Sequence, residues 1–242
     1  MPGAARVDRQ PAFVLHRRPW RESSLLLDLL TRDHGRVSVI ARSARNSRKG
    51  LPGALQPFQS LLVSWAGRGD LKTLTGADRA GALPPVAGER LYSALYVNEL
   101  LVRALAPLDP HPALFEAYAA LLPALAAEPD HEPWLRGFEL LLLRELGYAL
   151  DLRFDAGSGE VLEPAAVYAF EPAVGFLPAG PGTPEERLYP GTVLAAIGEG
   201  DFAEARTRSL ARRLLRDALA PVLGDRPLRS REYFRRPRAP VS

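Results

Sequence analysis

Three arginines on the last predicted helix are spaced for binding an anion. Arg208, Arg212 and Arg216 lie four residues apart within Phe202 to Leu223, a stretch whose apolar residues recur at helical spacing. Side chains at this interval project from one stripe of a helix, where like charges repel one another modestly. A helix with a purely structural role would tend to place acids among them. The stripe therefore favours a surface that binds phosphates or carboxylates, and a solvated helix face is the alternative.

Charge along the chain is separated into three blocks. Residues 1–80 carry 14 basic and 6 acidic residues, residues 81–201 carry 6 and 18, and residues 202–242 carry 11 and 4. Only Glu204 and Asp217 stand near the stripe in the sequence, and the basic excess continues through Arg229 and Arg231. Two basic ends around an acidic middle favour one polyanion-binding surface built from both ends, with nucleic acid as the first candidate.

A second group of basic residues, within the first 80, is accompanied by aromatic residues. Single-stranded nucleic acid is held by a positive groove together with aromatic faces on which bases stack. Trp20, which follows Pro19 in a predicted loop, is the preferred stacking platform, whereas Phe58 and Trp65 are more typical of a barrel core. The predicted nucleic-acid-binding cations of this group are Arg17, Arg18, Arg21, Arg36, Arg42, Arg45, Arg48, Lys49, Arg68 and Lys72.

The residue types that catalysis and metal binding need are sparse. Cysteine is absent, which excludes disulfides, thiolate zinc sites, iron–sulfur clusters and cysteine nucleophiles. The four histidines are scattered, and the sequence has no metalloprotease, phosphate-loop or nucleophile-elbow motif. We expect no catalytic residues, no cofactor and no metal. Residues 1–10 lack the apolar run of a signal peptide and no stretch is long enough to span a membrane, so we expect a cytoplasmic protein with no membrane partner.

Short apolar or alternating runs in the first 80 residues predict five β-strands. The connections at 32–35 and 67–70 contain glycine and have hairpin length, so strands two and three, and strands four and five, should pair antiparallel. The predicted strands are Ala12–Arg17, Ser24–Leu30, Arg36–Ala41, Phe58–Trp65 and Leu71–Thr75.

The long segment between the third and fourth predicted strands, Arg42–Pro57, contains two glycines, two prolines and four basic residues. It is predicted to be an exposed basic loop. A meander, a long break and a hairpin match the plan of a small, partly open barrel of the OB type. An SH3-like barrel has a similar number of strands and is the alternative.

From about residue 89 the apolar residues recur at helical spacing, which predicts an all-α domain. Pro123 should kink or end the second helix. The third helix is apolar over most of its girth, including Trp134, so it should be the buried centre of a bundle. Residues 151–189 lose periodicity and are predicted to be irregular. The predicted helices are Arg90–Ala106, Pro112–Ala127, a third from Pro133 to Gly147, and Phe202–Leu223, with a further turn or two over Leu228–Arg236.

Eight short pieces of the sequence occur in order over residues 12–236, almost the whole chain. They are Ala12–His16, Glu22 with Ser24, Gly35–Val37, Gly53–Phe58, Gly67–Leu74, Leu91–Leu100, Phe138–Leu140 with Leu146–Tyr148, and Pro227–Arg231. Together they resemble the bacterial recombination-mediator family RecO.

The resemblance implies an α+β fold in which an N-terminal five-stranded OB-fold domain, residues 1–80, precedes an all-α helical domain. Helices within 81–150 begin that domain and helices within 190–242 complete it, with 151–189 as an irregular insertion. In many members of the family this insertion holds a zinc ion on four cysteines. Asp151–Pro172 has no cysteine, so no zinc is expected in this chain.

The function that the resemblance implies is DNA repair and homologous recombination without covalent chemistry. RecO-like proteins bind single- and double-stranded DNA, anneal complementary strands, bind the acidic C-terminal tail of single-strand-binding protein, and act with RecR to load RecA. This implies a place at the bacterial nucleoid, with the two basic groups and Arg229 and Arg231 as DNA-binding residues. A non-catalytic OB-fold adaptor acting through protein partners, and an RNA-binding factor, are the alternatives.

Arg136 is the predicted contact for the tail of single-strand-binding protein. That tail is acidic and ends in an apolar residue, so its pocket needs apolar walls and a cation. In the family this pocket lies in the helical domain, and Arg136 stands just before the matching piece Phe138–Leu140. An intrahelical pair between Arg136 and Glu139 is the alternative.

Overall fold

The computed structural model describes residues 6–46, 51–230 and 232. The chain divides into two compact units, of which the first comprises residues 1–127 with 227–242 and the second comprises residues 128–226. The helices of the described residues are α1 (Leu51–Ala54), α2 (Glu89–Ala104), α3 (Pro112–Ala127), α4 (Glu132–Glu145), α5 (Gly191–Glu199) and α6 (Ala205–Leu223).

Five strands at the start of the first unit form a closed barrel. The strands follow the order β1-β2-β3-β5-β4, and β4 pairs with β1 to complete the barrel. Every neighbouring pair is antiparallel except β3 with β5, which are parallel. Hairpins alone cannot produce a parallel pair, so the topology fits an OB-type barrel. The five strands are β1 (Arg6–Trp20), β2 (Ser24–Thr31), β3 (Gly35–Ala41), β4 (Ser60–Ala66) and β5 (Leu71–Arg79).

The five predicted strands and both predicted hairpins are confirmed, but the barrel is closed rather than partly open. The closure depends on the length of β1, whose first half pairs with β4 and whose second half pairs with β2. Register shifts after Val7 and after Val14 bend the strand between these two partners. β1 also continues past its predicted end at Arg17, so Trp20 lies at the end of a strand and not in a loop.

The segment between β3 and β4 packs into the barrel instead of forming only an exposed loop. A 3₁₀ turn over Ala44–Asn46 and the short helix α1 lie within it. Ala44 and Leu55 are both fully buried in the barrel core. The prediction of an exposed loop is therefore wrong at these positions, because two apolar residues among the basic ones anchor the segment. The core of the strands is Ala12, Val14, Leu25, Leu27, Leu29, Val37, Val39, Ala41, Leu61, Val63 and Trp65.

Helices α2 and α3 of the first unit cover part of the outer face of the barrel. Phe13 of β1 packs against Phe115 and Tyr118 of α3, with ring centroids 5.3 and 5.0 Å apart. Asn98 of α2 donates a hydrogen bond through Nδ2 to the carbonyl of Leu15 at 2.8 Å. Phe13 and Leu15 are buried although neither belongs to the barrel interior. The outer face of β1 is therefore occupied by the chain's own helices.

Helix α3 does not end at Pro123. A proline inside a helix removes one backbone hydrogen bond and crowds the preceding turn. Leu121, Leu122 and Leu125 are nevertheless buried around it, and packing of an apolar face supplies most of the stability of a helix in a protein. Tertiary packing therefore outweighs the local cost at this position.

The segment after residue 226 returns to the first unit and binds α2. The backbone N–H groups of Arg229 and Ser230, at 2.9 and 2.8 Å, and the hydroxyl of Ser230, at 2.6 Å, all donate to the carboxylate of Glu99. Burial raises the pKa of Glu99, but the hydrogen bonds from Ser230 and Arg229 outweigh it and hold that pKa below its ordinary value. The carboxylate is thus an ionised anchor for the end of the chain.

The second unit packs helices beside a small sheet. α4 contacts α6, and α5 contacts both α6 and the sheet. The sheet is antiparallel in the order β7-β6-β8, with β6 (Val167–Glu171), β7 (Gly175–Pro178) and β8 (Leu188–Pro190). The segment predicted to be irregular therefore contains three strands. Each strand has only three to five residues, too few to display a period in the sequence.

Helix α4 buries one face rather than its whole circumference. Leu135, Phe138, Leu142 and Leu143 are buried, whereas Trp134 is 45% exposed. The prediction that Trp134 belongs to a bundle core is therefore wrong. Among the described residues, no helix combines the length with the apolar run needed to cross a membrane.

Candidate nucleic-acid interface

Five of the predicted site residues meet at one end of the barrel, around the turn that joins β1 to β2. β1 and β2 close at the pair formed by Trp20 and Ser24, and the next residue of β2 pairs with the last residue of β3. Residues just outside these pairs are therefore brought together. We name this group the turn surface, and it consists of Arg18, Trp20, Arg21, Arg42 and Arg45.

Arg45 links the segment after β3 to the β1–β2 turn by two hydrogen bonds. Its backbone N–H donates to the carbonyl of Ser23 at 2.9 Å, and its Nη1 donates to the carbonyl of Glu22 at 3.0 Å. Arg21 adopts a φ of 53°, a left-handed conformation that costs an L-residue roughly 1–2 kcal/mol. The hydrogen bonds from Arg45 hold the turn that contains this conformation.

The electrostatics of the turn surface favour an anion. The side chains of its four arginines are exposed, and Trp20 is half-buried. Glu22 is the only acid within residues 17–27, and residues 42–46 contain none. Four guanidinium groups beside one accessible indole combine the phosphate contacts and the stacking platform that a single-stranded nucleic acid requires.

Arg36 lies elsewhere and serves the fold. Its Nε donates to the carbonyl of Leu105 at 3.0 Å, and its carbonyl accepts the N–H of Leu108 at 2.9 Å. Nη1 lies 3.7 Å from a carboxylate oxygen of Asp28, and both side chains are largely buried. These contacts join β3 to the segment after α2, so the predicted role of Arg36 in nucleic-acid binding has no geometric support.

Arg68 and Lys72 lie at the β4–β5 turn and the start of β5. Lys72 pairs with Val39 of β3, three residues before Arg42 of the turn surface. Arg68 is exposed, but Lys72 is only 8% exposed and its Nζ lies 3.5 Å from the carbonyl of Arg68. Arg17 is half-buried, with its Nη1 3.4 Å from the carbonyl of Leu55.

The three aromatic candidates have different surroundings. Trp65 is buried in the barrel core, where the His34 ring meets it edge-on at 5.3 Å. The core interpretation of Trp65 is therefore confirmed. Phe58 is half-buried at a φ of 68°, just before β4, and its N–H donates to the carbonyl of Val14 at 3.4 Å. Trp20 is the only one of the three that lies among exposed cations.

Two arginines of the α6 stripe form ion pairs. Arg212 pairs with Glu132 at 2.8 Å, and Arg216 pairs with its neighbour Asp217 at 3.2 Å. Glu132 is distant in the sequence and reaches the stripe because α4 packs against α6. The side chains of Arg212 and Arg216 are 60% and 54% exposed, so a phosphate can still reach both arginines.

Arg208 differs from the other two arginines of the stripe. Its Nη1 donates to the carbonyls of Phe202 and Ala203, each at 2.6 Å, and lies 3.9 Å from Asp130. These carbonyls belong to the residues just before α6. Arg208 therefore holds the start of its own helix, which leaves less of its guanidinium for a ligand.

Arg136 forms the intrahelical pair that was the alternative to a tail-binding role. Its Nη1 lies 2.9 Å from Glu139, and the side chains are 7% and 1% exposed. Glu139 faces Nη1, whereas Nε of the same guanidinium is buried and has no hydrogen-bond partner among the described residues. Of the remaining predicted residues, Arg229 has an exposed side chain, whereas Arg48, Lys49 and Arg231 lie outside the described residues.

At the position of the family's zinc module, a carboxylate organises the turn. Oδ1 of Asp155 accepts the N–H groups of Gly157 and Ser158 at 2.6 and 2.9 Å, and Asp155 is buried. Its backbone N–H and carbonyl pair with Glu160 and Gly159. Within the described residues no three His, Cys, Asp or Glu side chains are grouped to hold a metal ion. These residues therefore do not fit a structural zinc ion.

Asp155 is also a residue whose role the sequence prediction missed. Gly157–Gly159 has the composition of an ordinary flexible turn. The signal that could have identified it is the aspartate two residues before the first glycine, because an Asx turn places a carboxylate against the following N–H groups.

Comparison with known proteins finds two family models that meet just after the barrel. The model of the Recombination protein O N-terminal domain matches residues 6–82, and that of the Recombination protein O C-terminal domain matches residues 86–232. The chain is 44% identical over 225 residues to DNA repair protein RecO of Aliivibrio salmonicida, covering 93% of this chain and 94% of the relative. It is 46% identical over 231 residues to that of Methylococcus capsulatus, covering 96% and 94%. It is 45% identical over 236 residues to that of Erwinia tasmaniensis, covering 96% of each.

Proposed function

Because the chain belongs to the Recombination protein O family, we propose that it is a non-catalytic DNA repair and recombination mediator that binds DNA through the turn surface. The observation that carries this proposal is the grouping of four exposed arginines with Trp20 at one end of an OB-type barrel. Phosphate contacts from arginine position a strand without reading its bases, so little sequence preference is expected.

The rest of the barrel supports this location for the strand. OB barrels commonly bind ligands on the face of strands two and three. In this chain the outward residues Leu26 and Leu30 of β2 are buried, and Asp28 between them accepts a hydrogen bond from Ser38 at 2.7 Å. Arg36 already faces Asp28 at 3.7 Å, so this face offers a phosphate backbone no unpaired cation on β2. The turn surface is a basic, accessible part of the barrel outside that face.

We propose that the chain also anneals complementary strands, with α6 as a second phosphate-binding surface. Annealing brings two strands of like charge together, and cations on both units reduce their repulsion. Arg212 and Arg216 are the best placed of the stripe, since more than half of each side chain is exposed and can contact a phosphate. Loading of RecA together with RecR, at the bacterial nucleoid, belongs to the same proposal and is drawn from the family.

For the acidic tail of single-strand-binding protein, we propose that Arg136 takes part through its Nε, which has no hydrogen-bond partner among the described residues. The pair of Arg136 with Glu139 is buried, and breaking a buried pair is costly. Glu139 therefore keeps its place while Nε donates to a carboxylate of the tail. An unchanged affinity of the tail peptide for an Arg136→Ala variant would remove Arg136 from the tail site.

The experiment that tests the DNA-binding site is a titration of a fluorescent single-stranded oligonucleotide with the full chain at several salt concentrations. Neutralising two arginines of the turn surface, Arg21→Gln with Arg42→Gln, should lower the slope of log affinity against log salt by roughly 1.4 units. The matched control is Arg144→Gln with Arg187→Gln, which removes the same charge from exposed positions in the acidic middle of the chain. Equal slopes in the two double variants would refute the site.

Two alternatives are separated by the same assay. An adaptor that leaves DNA to its partners should not bind the oligonucleotide at all. An RNA-binding factor should prefer RNA over DNA of equal sequence, because it contacts the 2′-hydroxyl. The full chain is the appropriate material, because the barrel shares its compact unit with α2, α3 and the residues after 226.

A further inference from the structure

An open pocket of about 500 Å³ lies within the second unit, beside the small sheet. Residues after α4, the turn organised by Asp155, strands β6 and β7 and the end of α6 all contribute to its lining. Its aromatic lining residues are Tyr148, Phe154, Phe170 and Phe176. A pocket of this size with several aromatic walls and few polar groups has the character of a binding site.

Exposed apolar side chains are concentrated around this pocket. Among the described residues, eight large apolar side chains are exposed, and five of them fall between residues 148 and 174. Three of those five line the pocket, namely Tyr148, Phe154 and Val174, with exposures of 47%, 38% and 61%. Contiguous exposed apolar surface of this kind marks a place where another molecule binds.

The charge around the pocket is negative. The charged residues in its lining are Asp151 and Asp155, and no cation lines it. Residues 145–176 contain six acids and a single basic residue, Arg153. A segment with this balance repels a nucleic-acid backbone and an acidic peptide tail, and it attracts a cationic partner.

We propose that this pocket binds an apolar side chain presented on a cationic segment of a partner protein. The apolar side chain enters between Tyr148, Phe154 and Val174, and flanking Lys or Arg residues face Asp151 at the rim. This site is separate from the turn surface and does not depend on DNA binding by the chain.

The proposal is tested by fluorescence polarisation with the full chain and a labelled peptide of sequence Arg-Arg-Leu-Phe-Arg-Arg. Its two controls are Glu-Glu-Leu-Phe-Glu-Glu, which keeps the apolar pair, and Arg-Arg-Gly-Ser-Arg-Arg, which keeps the charge. We expect binding of the first peptide and much weaker binding of both controls. Equal binding of the acidic peptide, equal binding of the Gly-Ser peptide, or no binding of the first peptide would overturn the proposal.

The chain offers a closely matched pair of variants. Val174 lines the pocket and is 61% exposed, whereas Val161 lies outside the lining and is 64% exposed. Val174→Ser should lower the affinity for the cationic peptide by about tenfold, and Val161→Ser should leave that affinity unchanged. Both variants should keep the wild-type thermal transition, because neither side chain is buried. Equal affinities of these two variants would overturn the assignment to this pocket.

The role of charge is tested separately by Asp151→Asn. Oδ1 of Asp151 accepts the N–H groups of Arg153 and Phe154 at 2.9 and 3.1 Å, and an asparagine can keep both hydrogen bonds. We expect an affinity for the cationic peptide about threefold weaker and a smaller dependence of that affinity on salt. A salt dependence equal to that of the wild type would remove Asp151 from the site.

Discussion

Tyr118 of α3 donates its hydroxyl hydrogen to Oδ1 of Asn98 of α2 at 2.6 Å, where the two helices cover the outer face of the barrel. Asn98 in turn donates to the carbonyl of Leu15, so one amide joins both helices to β1. Tyr118 and Asn98 are both buried. A hydrogen-bonded chain in such a place fixes how the helices lie on the barrel, because an unpaired member is costly there.

The burial of the Tyr118 hydroxyl makes the stability of the protein sensitive to alkali. Burial raises the pKa of Tyr118 above the ordinary value of 10.0, so at high pH the unfolded chain releases a proton that the folded chain keeps. The free energy of unfolding should therefore be unaffected below about pH 10 and fall above it, by roughly 1.4 kcal/mol per pH unit for one such group. Denaturant titrations from pH 7 to pH 11 measure this directly.

Tyr118→Phe should be less stable at pH 7 by about 1–3 kcal/mol, because Asn98 loses its partner. Above pH 10 its stability should fall less steeply than that of the wild type. Tyr148→Phe, which removes one exposed phenol, is the control for the loss of a tyrosine. Parallel pH curves for the wild type and Tyr118→Phe would show that another group causes the alkaline loss.

The turn around Asp155 should make the second unit independent of metal. Asp155→Ala leaves two backbone N–H groups without their acceptor and should cost about 2–4 kcal/mol of stability. Asp155→Asn keeps an acceptor oxygen and should cost less. Thermal unfolding with and without 1,10-phenanthroline tests the metal directly, and the unfolding temperature of the wild type should be the same in both. A transition lowered by the chelator contradicts the assignment.

Trp20 should contribute stacking to DNA binding without contributing charge. Trp20→Ala should lower the affinity for an oligothymidine by about tenfold. This loss is within the roughly 1–3 kcal/mol expected for one stacked base. The dependence of affinity on salt should stay as in the wild type, since no phosphate contact is lost. Trp134→Ala, which removes another accessible tryptophan, is the control. Equal losses in both variants would mean that Trp20 has no special role.

The α6 stripe should matter for annealing more than for binding of one strand. Arg212→Glu with Arg216→Glu should slow the annealing of two complementary oligonucleotides, because like charges then face the second strand. Arg208 is left unchanged, since it caps carbonyls at the start of α6. Annealing is followed by energy transfer between labelled strands. A wild-type rate in the double variant would leave the stripe without a role in annealing.

The sequence predicts the barrel well because its strands carry a local signal. β2 runs apolar and β3 alternates on either side of a glycine-bearing turn, and these patterns are visible without any neighbour. The closure of the barrel is not visible in this way, because it depends on register shifts within β1. The roles of Arg36 and Arg136 are not visible in the sequence either, because packing determines their partners. Charge alone cannot separate a structural arginine from one that binds a ligand.

Helices α2 and α3 cover the outer side of β1, and Leu30 of β2 is also buried. This cover limits how long a stretch of DNA the barrel can bind. A ligand confined to the turn surface contacts a short footprint of a few nucleotides, within or below the site sizes typical of one OB barrel. The nucleotides on either side of that footprint keep their Watson–Crick edges free. Binding of only a short stretch of backbone therefore leaves the bound DNA strand open to its complement, as the proposed annealing requires.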